Sequence, residues 1–130
     1  MKELEWILDQ TICAIHDEQL AAHGGREGIR DPGLLESALN SPKNMHSYEK
    51  PTLFKLAAVY AYRISNNQPF VDGNKRTAYV ASRLFLMLNG YDITAPENER
   101  VQMFLDISNN IKSEDELAMW FKKWSVAIPD

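Results

Sequence analysis

The 130-residue sequence contains a single cysteine, Cys13, and no long uninterrupted apolar stretch. One cysteine excludes a disulfide framework within the chain, and its position among apolar residues of an early helical pattern predicts a buried thiol in a reducing compartment. No stretch approaches the roughly 18 consecutive apolar residues of a membrane span, and the acidic N-terminus has no long apolar run. We therefore expect a cytoplasmic protein with no membrane partner.

The chain also lacks an excess of positive charge. Its 14 Lys and Arg residues stand against 18 Asp and Glu residues, which gives a formal net charge of -4. This balance argues against a protein that binds nucleic acid by neutralising many phosphates, although a local pair of cations can still hold one small anion. We expect no direct nucleic-acid partner.

Glycine and proline are few and dispersed, with six of each separating segments of helical apolar spacing. No repeat or low-complexity tract is present. With 45% hydrophobic and 25% charged residues, the composition is that of a soluble globular protein, and we expect one domain over residues 1–130. The spacing predicts an all-α bundle of about six helices around a central apolar helix.

The predicted helices cover about 11–23, from 32 onward, about 51–66, about 74–88, about 96–112, and from 113 onward. Asp31 is expected to cap the second helix, and Ser113 with Glu116 to form a capping box on the sixth. The fourth helix is apolar on nearly all sides and should be the central one. No convincing strand pair is present, although residues 91–94 could form a short extended edge.

The loop before the fourth helix, Gln-Pro-Phe-Val-Asp-Gly-Asn-Lys-Arg over residues 68–76, carries the clearest chemistry. Gly73 permits a tight turn into the helix, whose first N–H groups and positive dipole end favour an anion. Asp72 is a hard oxygen ligand suited to the Mg²⁺ that arrives with nucleotide phosphates. The donors that follow are Asn74, Lys75 and Arg76. Together these residues indicate a nucleotide site.

On spacing alone, a plain turn between two packed helices explains this loop equally well, with Asp72-Gly73 as turn residues and Lys75-Arg76 as a solvated first turn. Cations at a helix N-terminus oppose the dipole, however, unless an anion lies between them. That conflict counts against the plain turn.

The same nine residues resemble the Fic/Doc signature His-x-Phe-x-(Asp/Glu)-Gly-Asn-(Gly/Lys)-Arg at every specified position except the first, where Gln68 stands in place of the histidine. The resemblance is to the Doc, or death-on-curing, toxins and extends over roughly residues 11–125. It includes His16-Asp17, Gly24-Gly25 and Asp31-Pro32-Gly33. It implies a Fic-fold helical bundle.

The resemblance also assigns roles within the loop. In the family the motif asparagine and arginine contact the phosphates of ATP and the acidic residue binds Mg²⁺, so these roles pass to Asn74, Arg76 and Asp72. Doc-like members carry lysine at the eighth motif position, which is associated with transfer of the γ-phosphate. Lys75 therefore favours a kinase-like reaction over AMP transfer. Gly73 is the glycine of the motif and belongs to the predicted cofactor-binding residues.

Gln68 stands at the position of the family's general base. The histidine takes the proton from the target hydroxyl as that hydroxyl attacks phosphorus, and a carboxamide cannot accept this proton near neutral pH. The resemblance therefore implies a site that binds nucleotide better than it reacts. An engineered inactive toxin and a natural silent homologue both account for the substitution.

In biological terms, the resemblance implies the toxin of a bacterial type II toxin–antitoxin system, which phosphorylates a hydroxyl, that of a threonine, on a translation protein such as elongation factor Tu. Its partner would be a Phd-like protein antitoxin whose flexible C-terminal segment folds as a helix against the toxin. The sequence has no inhibitory Ser/Thr-x-x-x-Glu-(Gly/Asn) helix of its own. Two alternatives are AMP transfer to a protein hydroxyl and a catalytically silent binding module.

Several other residues have structural interpretations. His16 is predicted to be a hydrogen-bonded core residue and not a catalytic base. Phe70 is expected to anchor the loop in the core, and the stripe of Trp120, Phe121 and Trp124 to pack inside. Arg83, two turns after Arg76, could face the phosphates or form a salt bridge.

Overall fold

A computed structural model of the chain describes residues 3–129, which form six helices and one two-stranded antiparallel sheet. In chain order the elements are α1 (Asp9–His23), α2 (Pro32–Glu49), α3 (Leu53–Asn67), α4 (Asn74–Leu88), β1 (Tyr91–Ile93), α5 (Glu97–Ser108), α6 (Glu114–Trp124) and β2 (Ser125–Ala127). The predicted helical bundle of about six helices is confirmed.

Local capping signals place several helix starts. Asp31 caps α2, because its Oδ1 accepts a hydrogen bond from Leu34 N at 3.1 Å. Ser113 and Glu116 form the predicted capping box on α6. These two caps join residues three positions apart, so the sequence alone was enough to find them.

Other boundaries differ from the predicted ones by a few residues. α3 begins at Leu53 and not at Pro51, because Thr52 caps it by accepting from Lys55 N at 3.1 Å. α5 is shorter than predicted and ends at Ser108, because the backbone turns at Asn110, which has a φ of 60°.

The most enclosed helix is α3. Its residues 56–61 are all buried, and it packs against α2, α4, α5 and α6. The prediction that the fourth helix is central is therefore wrong. The alanines at 57, 58 and 61 let neighbouring helices approach α3 closely on several sides, whereas α4 keeps Lys75, Met87 and Leu88 exposed.

The short sheet lies at the C-terminal end of α4. β1 pairs with β2 in the register Tyr91↔Ala127, Asp92↔Val126 and Ile93↔Ser125. The extended edge at 91–94 is confirmed, but the expectation of no strand pair is wrong. β2 has only three residues and follows α6 directly, so no alternating pattern marks it in the sequence.

Most of the core predictions are confirmed. Trp120 and Phe121 are buried in one hydrophobic cluster with residues of the other helices, and Trp124 packs against it. Cys13 is half-buried and not fully buried; burial first, and then the charges of Asp17 and Asp9, raise the pKa of its thiol.

Across residues 3–129, no helix combines the length and apolarity needed to cross a bilayer.

Candidate functional site

The loop between α3 and α4 lies against the segment that joins α1 to α2. We call residues 24–31 the bracing segment. Two contacts join this segment to the loop: Val71 N donates to Gly28 O at 3.0 Å, and a β-bridge joins Ile29 to Phe70. The carbonyl of Pro69 accepts from the backbone N–H groups of residues 30 and 31. The motif loop is therefore held as one strand of a short backbone ladder.

A buried aromatic pair holds the loop from the core side. Phe70 is 1% exposed, and the ring of His16 stacks on it with centroids 3.8 Å apart and planes 8° apart. His16 Nε2 lies 2.7 Å from the carbonyl oxygen of Asp72. Since a carbonyl only accepts, the ring donates from Nε2. The predictions of an anchoring phenylalanine and a hydrogen-bonded core histidine are both confirmed.

Asn74 closes the loop with two hydrogen bonds to one residue. Its Oδ1 accepts from Phe70 N at 2.9 Å, and its Nδ2 donates to Phe70 O at 3.0 Å. An amide nitrogen carries two hydrogens, so one N–H of Asn74 remains for another acceptor. The side chain thus shapes the loop first and can offer only a single donor to a ligand.

Gly73 makes the turn into α4 in the left-handed region, with a φ of 75°. A Cβ at this position would lie 3.3 Å from Leu20 Cδ2, so glycine is favoured by both conformation and space. No side chain caps the first turn of α4. Its N–H groups therefore remain available to an anion.

Asp72 is exposed and its carboxylate is fixed by the backbone. Oδ2 accepts from Arg26 N at 3.2 Å and Oδ1 accepts from Gly73 N at 3.0 Å. These two hydrogen bonds, in that order, and then the charges of Arg26 and Arg76, hold the pKa of Asp72 below its ordinary value. The carboxylate is therefore ionised at neutral pH.

The backbone of Gly25 lies so close to the Asp72 carboxylate that a larger residue would crowd it. A Cβ at Gly25, whose φ is 126°, would lie 3.1 Å from Asp72 Oδ2 and 2.9 Å from Leu20 Cδ2. Across residues 3–129 no group of three or more His, Cys, Asp or Glu residues could hold a metal ion. A single carboxylate suits Mg²⁺ that shares its coordination with phosphate oxygens and water, and Asp72 fits that requirement.

Arg76 is only partly satisfied by the protein. Its Nη2 donates to Gly24 O at 3.3 Å, while its Nε is buried and has no hydrogen-bond partner within residues 3–129. In the same part of the chain, neither Arg76 nor Lys75 has a carboxylate within ion-pair distance, whereas Arg83 and Lys112 each have one and Lys55 has two. The N-terminus of α4 thus carries two positive charges that oppose its dipole.

An open cavity of about 330 Å³ gathers the predicted residues. Gln68 and residues 71–76 line it, with Ser65 of α3 and Ser108 of α5. Gln68 is exposed and adopts a left-handed backbone, with φ 50° and ψ 61°. The structure therefore places every predicted site residue around one cavity.

A second cavity, of about 360 Å³, lies on the other side of Lys75 and Arg76, which line both. Its apolar wall comes from α4 and α5 and includes Tyr79, Val101 and Phe104. Arg83 reaches neither cavity: it binds Asp92 through Nε at 2.9 Å and Nη2 at 3.3 Å. Of the two interpretations of Arg83, the salt bridge is confirmed.

No sequence pattern indicated three residues that line or support the site. Arg30 contacts the end of α3, Ser65 is buried with an Oγ that has no partner within residues 3–129, and Ser108 forms the opposite wall. The glycines of the bracing segment were the only available signal, since glycines at 24, 25 and 28 all have positive φ. Such glycines indicate an irregular segment, but they do not indicate that this segment packs against the motif loop.

Known proteins resemble this chain over most of its length. The model of the Fic/DOC family matches residues 6–86, which include the bracing segment and the whole motif loop. The chain belongs to the Fic/DOC family.

Two curated relatives lie in its Doc branch. The chain is 34% identical over 88 residues to the protein kinase doc of Escherichia phage P1, covering 67% of this chain and 70% of the relative. It is 35% identical over 98 residues to the toxin Doc of Mycolicibacterium smegmatis, covering 72% of each. The resemblance found in the motif is therefore confirmed along most of the chain.

Proposed function

We propose that the chain is a Doc-like toxin whose site binds ATP with Mg²⁺ and is built to transfer the γ-phosphate to a protein hydroxyl in the bacterial cytoplasm. The observation that carries the proposal is the arginine at the start of α4. Arg76 has a buried Nε without a partner within residues 3–129, and it lines the cavity that also holds Gln68. A phosphate bound in this cavity would accept hydrogen bonds from the Arg76 guanidinium, and its negative charge would offset the unfavourable placement of two cations at the positive end of the helix dipole.

The phosphate groups would be held by three kinds of donor. The uncapped N–H groups of α4, the ammonium of Lys75 and the guanidinium of Arg76 all lie at one end of the helix. Each charge-assisted hydrogen bond contributes about 1.5–3 kcal/mol. Asp72 would hold Mg²⁺, which supplies positive charge against the phosphate oxygens during transfer.

Transfer of the γ-phosphate, and not of AMP, is supported by Lys75 and by the relatives. Lys75 is exposed, lines the cavity and occupies the motif position that is lysine in Doc-like proteins. The phage relative is named a protein kinase. We propose a hydroxyl of a translation protein, such as a threonine of elongation factor Tu, as the acceptor.

Position 68 determines whether this site reacts. Gln68 lines the cavity, but its carboxamide cannot take a proton from an attacking hydroxyl, so we propose that this copy is impaired. Histidine is among the non-glycine residues that adopt the left-handed backbone found at this position. The substitution Gln68→His should therefore be tolerated and should supply the base.

The experiment compares Gln68→His, Gln68→Asn and the unchanged chain in bacterial lysate with ATP labelled at the γ- or the α-phosphate. We expect γ-label on protein to rise about 10²–10⁴-fold in Gln68→His only. Transfer of α-label would instead establish AMP transfer. Bound nucleotide without any transfer by Gln68→His would favour the silent binding module, and absence of nucleotide binding would overturn the proposal.

We also propose a Phd-like antitoxin segment as the partner, bound at the second cavity. The apolar wall of this cavity continues to Val101, which is 60% exposed. Three cations, Lys75, Arg76 and Arg100, border it against one carboxylate, Glu97, so the charge there is positive on balance. An amphipathic helix with an acidic residue fits both features. Because Lys75 and Arg76 also line the nucleotide cavity, a partner bound there would compete with phosphate.

The antitoxin proposal is tested by co-purification with the product of the neighbouring gene and by hydrogen exchange of α4 and α5. Val101→Glu should abolish the association while nucleotide binding is retained. Met119→Glu is the matched control, since Met119 is 73% exposed on α6 and lies outside both cavities. A chain that never associates with its neighbouring gene product would contradict the toxin–antitoxin assignment.

A further inference from the structure

Arg30 binds three consecutive carbonyl groups at the end of α3. Its Nε donates to Gln68 O and its Nη2 to Asn67 O, each at 2.7 Å, while its backbone N–H donates to Pro69 O at 2.7 Å. The two side-chain bonds form a planar fork of the kind that only arginine provides. A residue of the bracing segment therefore fixes the backbone on both sides of position 68.

The end of α3 needs such a donor because the usual local donors are absent or engaged. A helix commonly satisfies its last carbonyls with the N–H groups of the two residues after the cap. Here the first of these is Pro69, which has no N–H, and the second is Phe70, whose N–H binds Asn74 Oδ1 at 2.9 Å. The Arg30 guanidinium supplies donors at this end from outside the helix, to the carbonyls of Asn67 and Gln68, and its charge also complements the negative end of the α3 dipole.

The bonds also maintain an unusual backbone conformation. Gln68 is one of only a few non-glycine residues with positive φ within residues 3–129, and its φ of 50° is unfavourable for a side chain with a Cβ. That φ, together with ψ, determines where the side chain of residue 68 leaves the backbone. Holding the carbonyls of residues 67 to 69 therefore fixes the origin of the side chain that lines the cavity.

We infer that Arg30 is a positioning residue for position 68: it directs the side chain there towards the hydroxyl that attacks the phosphate, without itself touching the nucleotide. Arg30 is not among the residues that line the cavity. The inference rests on the proposed function, because it takes position 68 as the place of the general base. A displacement of about 1 Å at such a group can cost on the order of 10² in rate.

The activity test uses the Gln68→His chain. Arg30→Met keeps a side chain of similar length without donors, and Arg30→Lys keeps the charge but not the fork. We expect kcat for γ-phosphate transfer to fall about 10- to 100-fold in Arg30→Met and less in Arg30→Lys, with KM for ATP within about twofold. The control is Arg63→Met, since Arg63 on α3 has no hydrogen bond or ion pair from its side chain within residues 3–129.

A second measurement separates this inference from the proposed function. The α-carbon chemical shift of residue 68 reports its φ and ψ, and it should move away from the left-handed value in Arg30→Met, in the Gln68 chain as well as in Gln68→His. If Gln68→His transfers no phosphate, the proposed function fails while this shift still decides the role of Arg30. An unchanged shift in Arg30→Met would overturn the inference, as would a loss of activity that appears in KM and not in kcat.

Discussion

The two ends of α4 differ in how completely the chain satisfies their polar groups. At the C-terminal end, Asn89 Nδ2 donates to Phe85 O at 2.8 Å and Glu5 O at 2.9 Å, while Asn89 Oδ1 accepts from Glu5 N at 2.9 Å. Six residues before Asn89, Arg83 forms a bidentate pair with Asp92. The polar side chains of Asn89 and Arg83 at this end therefore find their hydrogen-bond partners within the protein.

The N-terminal end has the same kinds of side chain but not the same kinds of partner. Asn74 is used to close the loop, Gly73 provides no side-chain cap, and Arg76 has no carboxylate within ion-pair distance in residues 3–129. Two arginines on one helix thus differ only in what lies opposite them. Arg83 is thus paired within the fold, whereas the lack of an ion-pair partner for Arg76 supports the proposal that Arg76 binds an acceptor from outside the chain.

The largest expected effect separates these two arginines. Arg76→Met should lower the affinity for ATP with Mg²⁺ about 10- to 100-fold, because one or more hydrogen bonds to charged oxygens are lost. Arg83→Met should leave this affinity within about twofold and cost at most ~1 kcal/mol of stability, as expected for a half-exposed ion pair. Calorimetric titration and thermal unfolding measure the two quantities. Equal losses of affinity in both variants would break the comparison.

The two asparagines provide the next test. Asn74→Ala should lower the free energy of unfolding by about 1–3 kcal/mol, because the N–H and C=O of Phe70 both lose a partner beside a buried ring. Asn89→Ala should cost less, since two of its three bonds go to Glu5 and are exposed, so water can replace them, and only the bond to Phe85 O is partly buried. Urea unfolding of both variants measures the difference. A smaller loss in Asn74→Ala than in Asn89→Ala would show that the loop does not depend on this amide.

The difference between these ends also shows what the sequence could predict. The motif loop, the caps of α2 and α6 and the anchoring role of Phe70 depend on neighbours a few residues apart or on a strong apolar preference, so local patterns indicate them. The hydrogen bonds of Arg30 to residues 67 and 68 join positions 37 and 38 apart, and no periodic pattern marks such a contact.

Two wrong predictions have a similar cause. α4 has apolar residues on nearly all sides and was therefore predicted to be central, but the alanines of α3 allow closer packing and place α3 there. The β1–β2 pair joins three-residue strands on either side of two helices, and so short a strand has no detectable alternation. In both cases tertiary contacts, and not local preference, decided the structure.

The smallest expected effect is a dependence on pH. Asp72 and Asp92, one at each end of α4, both have a pKa below the ordinary value, Asp72 mainly through the N–H groups of Arg26 and Gly73 and Asp92 mainly through Arg83. A carboxylate with a lowered folded-state pKa adds stability above its unfolded pKa, and this stability is lost as pH falls through the folded-state pKa. Unfolding free energies below about pH 4 should therefore decline less steeply in Asp72→Asn and Asp92→Asn than in the unchanged chain.

Carboxyl NMR titration checks this prediction for each residue. The pKa of the Asp72 carboxyl should lie below its ordinary value, and the pKa of Asp92 should return towards its ordinary value when Arg83→Met removes its partner. Arg83→Met should not change the titration of Asp72, because backbone amides hold that carboxylate. A titration of Asp72 at or above its ordinary value would contradict the described geometry of the loop.

The most direct test of the central claim is a titration of the unchanged chain with ATP and Mg²⁺, followed by backbone amide chemical shifts. We predict that the largest shifts fall on residues 72–77, at the N-terminal end of α4, and that residues 86–91 at its other end remain unchanged. The same titration of Arg76→Met should need about 10- to 100-fold more nucleotide for the same shifts. Shifts concentrated elsewhere in the chain, or none at saturating nucleotide, would contradict the claim that this end of the helix is a phosphate site.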